Sequence, residues 1–351
     1  MRSEALRFEG FFAELIARDE LPAAIVRAAF DAIFAGKWTP VQVGAFATAL
    51  RLRGESPSLV AEGVRALRDA MATVEHGLPV TLDTCGTGGD GLGTLNLSSA
   101  AAIVVASMGI PVAKHGNRAA SSRAGSADLF EALGLPIELA PDRQERVLRE
   151  ARIAFLFAPA HHPALRHAAT ARRELGIRTI FNALGPLANP ARVSHQLVGT
   201  YDDALRPVLA EALRALGTKR AWVVRGRDGL DEISPTGETR ITELYDGEIS
   251  ERTLVPEDFG IPRCDLEAIR GGSAEDNART VLAILRGEAH PARDAVVLNA
   301  AAAYVVATDA PLREAASLAD RALRSGAALA TLERWKAIAH AIKEQDVGSS
   351  R

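Results

Sequence analysis

Along the first part of the chain the apolar positions repeat at the helical period. Phe8, Phe11, Phe12, Leu15 and Ile16 fall on one face of a helix, and a second apolar helix is predicted over residues 21–34. Thr39-Pro40 and Ser56-Pro57 each place an oxygen-bearing cap before a proline suited to the first helical turn, opening two further helices that end near Leu52 and Val74. From Val80 the pattern changes to short β-prone runs at 80–84, 112–115, 153–157, 196–199 and 221–225. Between them lie helical stretches at 97–108, 126–133, 143–151, 163–175 and 204–216, and this alternation predicts an α/β sheet. The tail over 273–343 is helical again, opened by Ser273 and Asp276 at capping-box spacing. No internal repeat interrupts the pattern, so an α-lobe and an α/β-lobe with a cleft between them is the expected architecture.

A chain of 351 residues has room for about two domains. With 48% hydrophobic and 24% charged residues it is expected to bury a core rather than to stay disordered. Its formal net charge of -3 offers no global basic field, which argues against nucleic acid as a partner. Cys85 and Cys264 alone build neither a disulfide framework nor a four-thiolate zinc site, which predicts a reducing compartment, the cytoplasm. Glu4, Arg7 and Glu9 stand where an export signal would need an unbroken apolar run. The most apolar segment, 100–113, contains Ser107, Gly109 and Pro111 and falls short of the roughly 20 residues of a membrane span, so a core helix is expected there and no membrane partner.

The densest chemistry is the run from Asp83 to Thr94, with glycines at 86, 88, 89, 91 and 93, which follows a predicted strand and leads to Asn96, Ser98 and Ser99 at a helix start. Without Cβ atoms a backbone comes close to a phosphate, and helix N-terminal amides favour an anion; a plain tight turn is the alternative. The run lacks the Gly-Lys-Ser/Thr end of a Walker A loop, and its acidic residue follows the glycines too soon for a dinucleotide fingerprint. A second loop, 114–128, supplies Lys114 as a point charge, Asn117 as a two-sided amide, and Ser121, Ser122 and Ser126 as neutral donors, unless it is only a solvated basic turn. Both loops follow strands, which puts them at the carboxyl edge of an α/β sheet. His161 and His162 precede a helix carrying Arg172 and Arg173, whose guanidinium forks suit a carboxylate or else face solvent. Residues 181–190 read as a loop with two X-Pro steps, either an apolar wall for an aromatic substrate or a structural turn. Asp231 and Glu232 follow another strand; adjacent carboxylates beside a polyphosphate suggest Mg²⁺, against the alternative of two exposed loop acids. No zinc-type spacing and no nucleophile elbow is present.

Taken together, GTGGDGLGTLNLSS at 86–99, KHGNRAASSRAGSAD at 114–128, HPALRHAATARRELGIRTIFNALGPLANP at 162–190 and GLDEIS at 229–234 resemble the anthranilate phosphoribosyltransferases, over nearly the whole chain. The resemblance implies a small all-helical domain (1–75 plus roughly 163–191) and a larger α/β domain (76–162 and 192–351) with a central, mostly parallel sheet flanked by helices. It implies transfer of phosphoribose from phosphoribosyl diphosphate (PRPP) to the amino group of anthranilate, with Mg²⁺, in a homodimer. Carried over by motif, Gly86, Gly89, Asp90, Thr94, Asn96, Ser98, Ser99, Lys114, Ser122 and Ser126 are expected at PRPP. Gly86, Asn117, His162 and Arg172 are expected at anthranilate, and Ser98, Asp231 and Glu232 at the metal. His115 and Arg172 are the catalytic candidates; the reaction needs no strong base, so His115 and His162 are either proton acceptors or pocket walls. Position 99 is Ser where the family often has Thr, and the hydroxyl is kept. The rival readings are a pyrimidine nucleoside phosphorylase, which would not need the Asp231-Glu232 pair, and an inactive relative that binds nucleic acid.

Overall fold

The computed structural model describes residues 7–119 and 123–349. Four helices open the chain: α1 (Phe8–Ala17), α2 (Ala23–Phe34), α3 (Pro40–Arg53) and α4 (Pro57–Asp69). Both caps read from the sequence are built. Thr39 accepts from the Gln42 amide while the Gln42 side chain accepts from the Thr39 amide, and Ser56 Oγ accepts from the Leu59 amide. The fourth helix stops at Asp69, short of Val74, because the next residues are drawn into main-chain bonds with distant segments. The Ala72 amide donates to the His161 carbonyl at 2.8 Å and the Val74 amide to the Pro190 carbonyl at 3.1 Å.

From there the chain runs through β1 (Leu82–Gly86), α5 (Leu97–Ser107), β2 (Val112–Gly116), α6 (Ser126–Ala132), α7 (Pro141–Ala151) and β3 (Ile153–Phe157). A helical stretch follows: α8 (Ala158–His161), a 3₁₀ turn (Pro163–Leu165), α9 (Arg166–Leu175) and α10 (Ile180–Leu187). It then returns through β4 (His195–Gly199), α11 (Leu205–Ala215), β5 (Arg220–Gly226), β6 (Thr239–Tyr245) and β7 (Glu248–Leu254), and ends in α12 (Ala274–Leu285), α13 (Arg293–Thr308), α14 (Leu312–Arg324) and α15 (Ala327–Ser349). The seven strands form one sheet in the order β3-β2-β1-β4-β5-β6-β7. β3 to β5 in that order are parallel, and β6 and β7 add an antiparallel hairpin that the sequence reading did not anticipate. Residues 181–190, read as a loop, are mostly helix α10, with Pro186 inside it.

Two apolar clusters cover the two faces of the sheet. On one side α5 and α13, buried on nearly every face, lie against the strands, α15 packs on α5 and α7, and Phe130, Phe155 and Trp335 pack together. The apolar segment around 100–113 is therefore interior, and no helix among the described residues is long and apolar enough to cross a membrane. On the other side α2–α4 and α11 pack with α9 and α10. Phe181 of α10 meets Phe30 and Phe46 edge-on or tilted, with ring centroids 6.2 and 6.4 Å away. Phe11 is wholly buried in the same aromatic group.

Candidate functional site

In the strand order, β1 and β4 are neighbours from which the chain departs in opposite directions, the switch point at which an open parallel sheet gathers loops into a crevice beyond its carboxyl ends. The loops after β1, β2, β4 and β5 meet there. The Thr87 amide donates to the Gly199 carbonyl at 2.9 Å, and Thr87 Oγ1 accepts from the Tyr201 amide at 3.0 Å, so the glycine-rich loop starts bound to the end of β4. Residue 199 must be glycine: a Cβ there would stand 1.6 Å from the Asp231 carbonyl oxygen.

The glycine-rich loop is held in shape by a residue that the sequence reading passed over. Arg178 Nη1 donates to the Gly88 carbonyl at 2.6 Å, Nη2 donates to the Gly89 carbonyl, and the guanidinium lies over the Tyr201 ring, 4.2 Å from its centroid. Gly89 has φ +83, and a Cβ on it would collide with Arg178 Nη2 at 1.5 Å. With these carbonyls engaged by the arginine, the neighbouring amides are left for a bound anion.

Asp90, Asp231 and Glu232 converge beside this loop. Burial, together with the charges of Asp90 and Glu232, raises the Asp231 carboxyl well above the usual carboxylate range. Burial raises Glu232 to about 7, against the pull of Lys114 and of the Ser98 amide, which donates to Glu232 Oε1 at 3.0 Å from the first turn of α5. Carboxylates at such cost in mutual repulsion fit a hard divalent cation, and the oxygen donor set is one that Mg²⁺ accepts. Among the described residues no three His, Cys, Asp or Glu side chains form a cage for an ion by themselves, so Mg²⁺ would take part of its octahedral shell from substrate oxygens and water. A second unforeseen residue positions the pair: Asn299, wholly buried in α13, accepts from the Ile233 amide at 2.9 Å and donates to the Ile233 carbonyl at 3.0 Å.

Beneath the loops lies a buried polar layer. Lys114 is 2% exposed and donates to the Thr84 carbonyl, its charge shared between Asp83 and Glu232. Asp83 is wholly buried and raised to about 6 by that burial, although it accepts from Asn189 Nδ2 at 2.8 Å and from the His115 amide at 3.1 Å. Asn189 also donates to the Ala113 carbonyl at 2.7 Å, tying the chain after α10 to strand β2. His115 Nε2 lies 3.2 Å from His162 Nε2. Burial and mutual proximity push His115 well below its ordinary value, and burial takes His162 down to about 4, so both rings are neutral near pH 7 and only one of the two facing nitrogens carries hydrogen.

The remaining expected residues are spread around this centre. Asn96 gives both ends of its amide to the protein, donating to the Ala124 carbonyl at 3.0 Å and accepting from Asn277 at 2.9 Å. Ser99 is 1% exposed in the first turn of α5, and Thr94 bridges to Arg270. Ser126 Oγ reaches the Asn117 carbonyl at 3.4 Å, while Asn117 Oδ1 accepts from the Arg118 amide. Arg172, in the last turn of α9, is partly buried, and this burial lowers its pKa; among the described residues it has no carboxylate partner, whereas Arg173 faces solvent. Ser121 and Ser122 lie outside the described residues.

Comparison with known proteins agrees with this geometry. Residues 11–71 match the helical bundle domain of a glycosyl transferase family, and residues 78–329 match its a/b domain. The chain is 49% identical to the anthranilate phosphoribosyltransferase of Moorella thermoacetica over 91% of its length and 95% of that protein, and 52% identical to the Thermomicrobium roseum enzyme over 92% and 94%. The crystal structure of anthranilate phosphoribosyltransferase from Thermus thermophilus superposes with a TM-score of 0.89 at 42% identity, covering 94% of this chain and 99% of that one. The Saccharomyces cerevisiae enzyme in complex with PRPP and Mg superposes with a TM-score of 0.87 at 28% identity, covering 95% and 98%. With both domains matched in order and close relatives spanning nearly its full length, the chain belongs to the anthranilate phosphoribosyltransferase family.

Proposed function

We infer that this chain transfers the phosphoribosyl group of PRPP to the amino group of anthranilate, giving N-(5-phosphoribosyl)anthranilate and diphosphate, a step of tryptophan biosynthesis, with Mg²⁺ as cofactor. The observation that carries this reading is the meeting, at the switch point, of an arginine-held glycine loop with the Asp90, Asp231 and Glu232 carboxylates: an anion cradle beside a cation site.

In this reading the backbone of Gly86 and Gly89, the Asp90 and Thr94 side chains, Asn96 and the hydroxyls of Ser98, Ser99, Ser122 and Ser126 surround PRPP, with Lys114 as the fixed positive charge below. Asn96 acts by fixing the loops at 94–96 and 124, since its amide is occupied. Asp231, Glu232 and Ser98 would hold Mg²⁺. When bound, Mg²⁺ supplies charge neutralisation to the departing diphosphate. As the bond from ribose C1 to diphosphate breaks, positive charge builds on the ring and negative charge on the leaving group, so the residues act chiefly by electrostatics and alignment. The nitrogen of anthranilate attacks C1 and then sheds a proton, which passes to water or diphosphate. Arg172, with no carboxylate of its own, is suited to hold the anthranilate carboxylate in its fork, with Asn117 and His162 completing that side. The neutral His115–His162 pair keeps the amine side dry and uncharged.

The division into a helical domain of 1–75 plus roughly 163–191 and an α/β domain of the remainder is supported by the aromatic packing of Phe181 on Phe30 and Phe46. A homodimer through the helical domain is supported by Ile16, Val41 and Leu52, exposed by 78%, 81% and 86% on α1 and α3. Cytoplasmic residence is supported by Cys85 and Cys264, both free thiols, as a reducing compartment keeps them.

Anthranilate fluorescence followed with purified protein, PRPP and Mg²⁺ tests the reading, with single omissions and the product mass as controls. Loss of fluorescence that needs all three, with a phosphoribosyl adduct formed, is the expected result. Phosphorolysis of a nucleoside without turnover of anthranilate would replace it with the phosphorylase reading.

A further inference from the structure

A cavity of about 530 Å³ opens at the edge of the sheet opposite the crevice, where β4 and β5 begin. Its walls bring together two parts of the fold: Arg27, Arg65, Arg68 and Asp69 from α2 and α4, and Arg192 and Lys219 from the turns that lead into β4 and β5. Five cations therefore face one carboxylate. Asp69 is already engaged by Arg27 Nη2, and Arg65 is engaged by Glu62 and by the Ala215 carbonyl. Arg68, Arg192 and Lys219 have no carboxylate within ion-pair reach among the described residues.

Arg68 forms the floor. Its Nη2 donates to the Leu187 carbonyl at 2.8 Å, yet its Nε is buried with no hydrogen-bond partner. Burial, followed by the charges of Arg192 and Arg65, lowers its pKa to about 10, so the guanidinium is desolvated beside like charges with nothing to offset them. Arg192 adopts φ +47, a left-handed conformation for a residue with a side chain. A volume in the range of small-molecule sites, a guanidinium short of an acceptor and an excess of positive charge share one requirement, a compact multiply charged anion.

We propose that this cavity is a second anion site, separate from the crevice, that binds a small phosphate-bearing compound, with Arg68 at its floor and Arg192 and Lys219 at its rim. A phosphoryl group supplies several acceptor oxygens and a charge near -2, enough to offset the Arg68 guanidinium and to screen the repulsion between α4 and the β4 and β5 turns. The source is either free inorganic phosphate or diphosphate, or the phosphate of an organic ester.

Titration calorimetry without Mg²⁺, using inorganic diphosphate, inorganic phosphate and ribose 5-phosphate in turn, tests the site on the full chain. The wild type is expected to show one saturable site for at least one of these probes, and the best binder identifies the source. R192Q/K219Q is expected to weaken that binding at least tenfold, while R192K/K219R retains it. Both variants should keep the wild-type kcat and KM for PRPP, which shows that they are folded and that the lost site is not the crevice. Crystals soaked in selenate should give an anomalous peak between Arg68, Arg192 and Lys219. The proposal is overturned if no probe binds without Mg²⁺, if R192Q/K219Q binds as tightly as wild type, or if selenate occupies only the crevice.

Discussion

In the proposed reading Glu232 is the side chain kept poised for a cation. Its pKa of about 7 means that in the free protein a proton competes for the carboxylate across the neutral range. Because the raised value favours the protonated form, lowering the pH must weaken metal binding. The Mg²⁺ concentration for half-maximal turnover is expected to rise about tenfold from pH 8 to pH 6, the ratio for one competing proton of that pKa, when initial rates are measured at fixed, saturating PRPP. A half-saturation independent of pH over that range would remove Glu232 from the metal. Arg172 makes a sharper test of substrate discrimination. Arg172→Ala is expected to raise the anthranilate KM at least tenfold, about 1.4 kcal/mol, and to leave the PRPP KM within about twofold. Equal changes in both constants would sink the carboxylate assignment. Arg178 acts on the loop rather than on the reacting atoms, so Arg178→Ala should show mainly in PRPP, with kcat/KM for PRPP falling between about tenfold and a hundredfold through loss of charge-assisted bonds to the Gly88 and Gly89 carbonyls. Steady-state kinetics that show loss only toward anthranilate would contradict that role.

At the scale of elements, α10 joins the apolar cluster of the helical side to the site. Phe181 at its start is 2% exposed among Phe30 and Phe46, and Asn189 just past its end holds Asp83. Phe181→Ala is expected to cost about 3–5 kcal/mol in unfolding free energy, read by denaturant titration, since it leaves a cavity among rings with little freedom to close in. A loss below about 1 kcal/mol would mean that α10 is not anchored there. This is also the element that the sequence concealed. Gly185 and Pro186 depress helix propensity, and the burial of Ile180, Phe181, Leu184 and Leu187 against α2–α4, with Asn182 Oδ1 accepting from the Thr179 amide at the helix start, overrides it. Strand β3, by contrast, was legible to the residue because IAFLF is a continuous apolar run. The β6–β7 hairpin carried a readable signal that the sequence analysis did not use: Asp246-Gly247, both with positive φ, between two alternating runs. The two glycine- and cation-rich loops declared themselves by composition. Arg178 and Asn299 did not, because each works through main-chain groups of a segment remote in sequence, and nothing in a lone arginine or a helix-centre asparagine announces such a partner.

For the whole molecule, the proposed homodimer rests on the uncovered apolar side chains of α1 and α3. The ends of α1 and α3 are tied together by Arg53, whose Nη1 donates to the Leu15 carbonyl at 2.9 Å, and the exposed Ile16 and Leu52 are the chain neighbours of the two residues so joined. Leu52→Asp is expected to shift the protein from dimer to monomer in sedimentation velocity at micromolar concentration, with kcat falling less than about threefold, because the crevice is built within one chain. A wild type that sediments as a monomer would discard the homodimer.

The pairing of β1 with β4, Leu82 against His195, bears on the order in which the molecule comes into being. Every residue from the glycine loop through α10 must be made before β4 exists, and closing so long a stretch of chain is entropically slow. The cradle and the carboxylates that face it thus belong to opposite halves of the synthesis. A nascent chain that has emerged only as far as α10 owns the whole glycine-rich signature and can bind neither ligand. PRPP and Mg²⁺ are therefore expected to select the finished molecule, resisting its unfolding rather than guiding its early collapse.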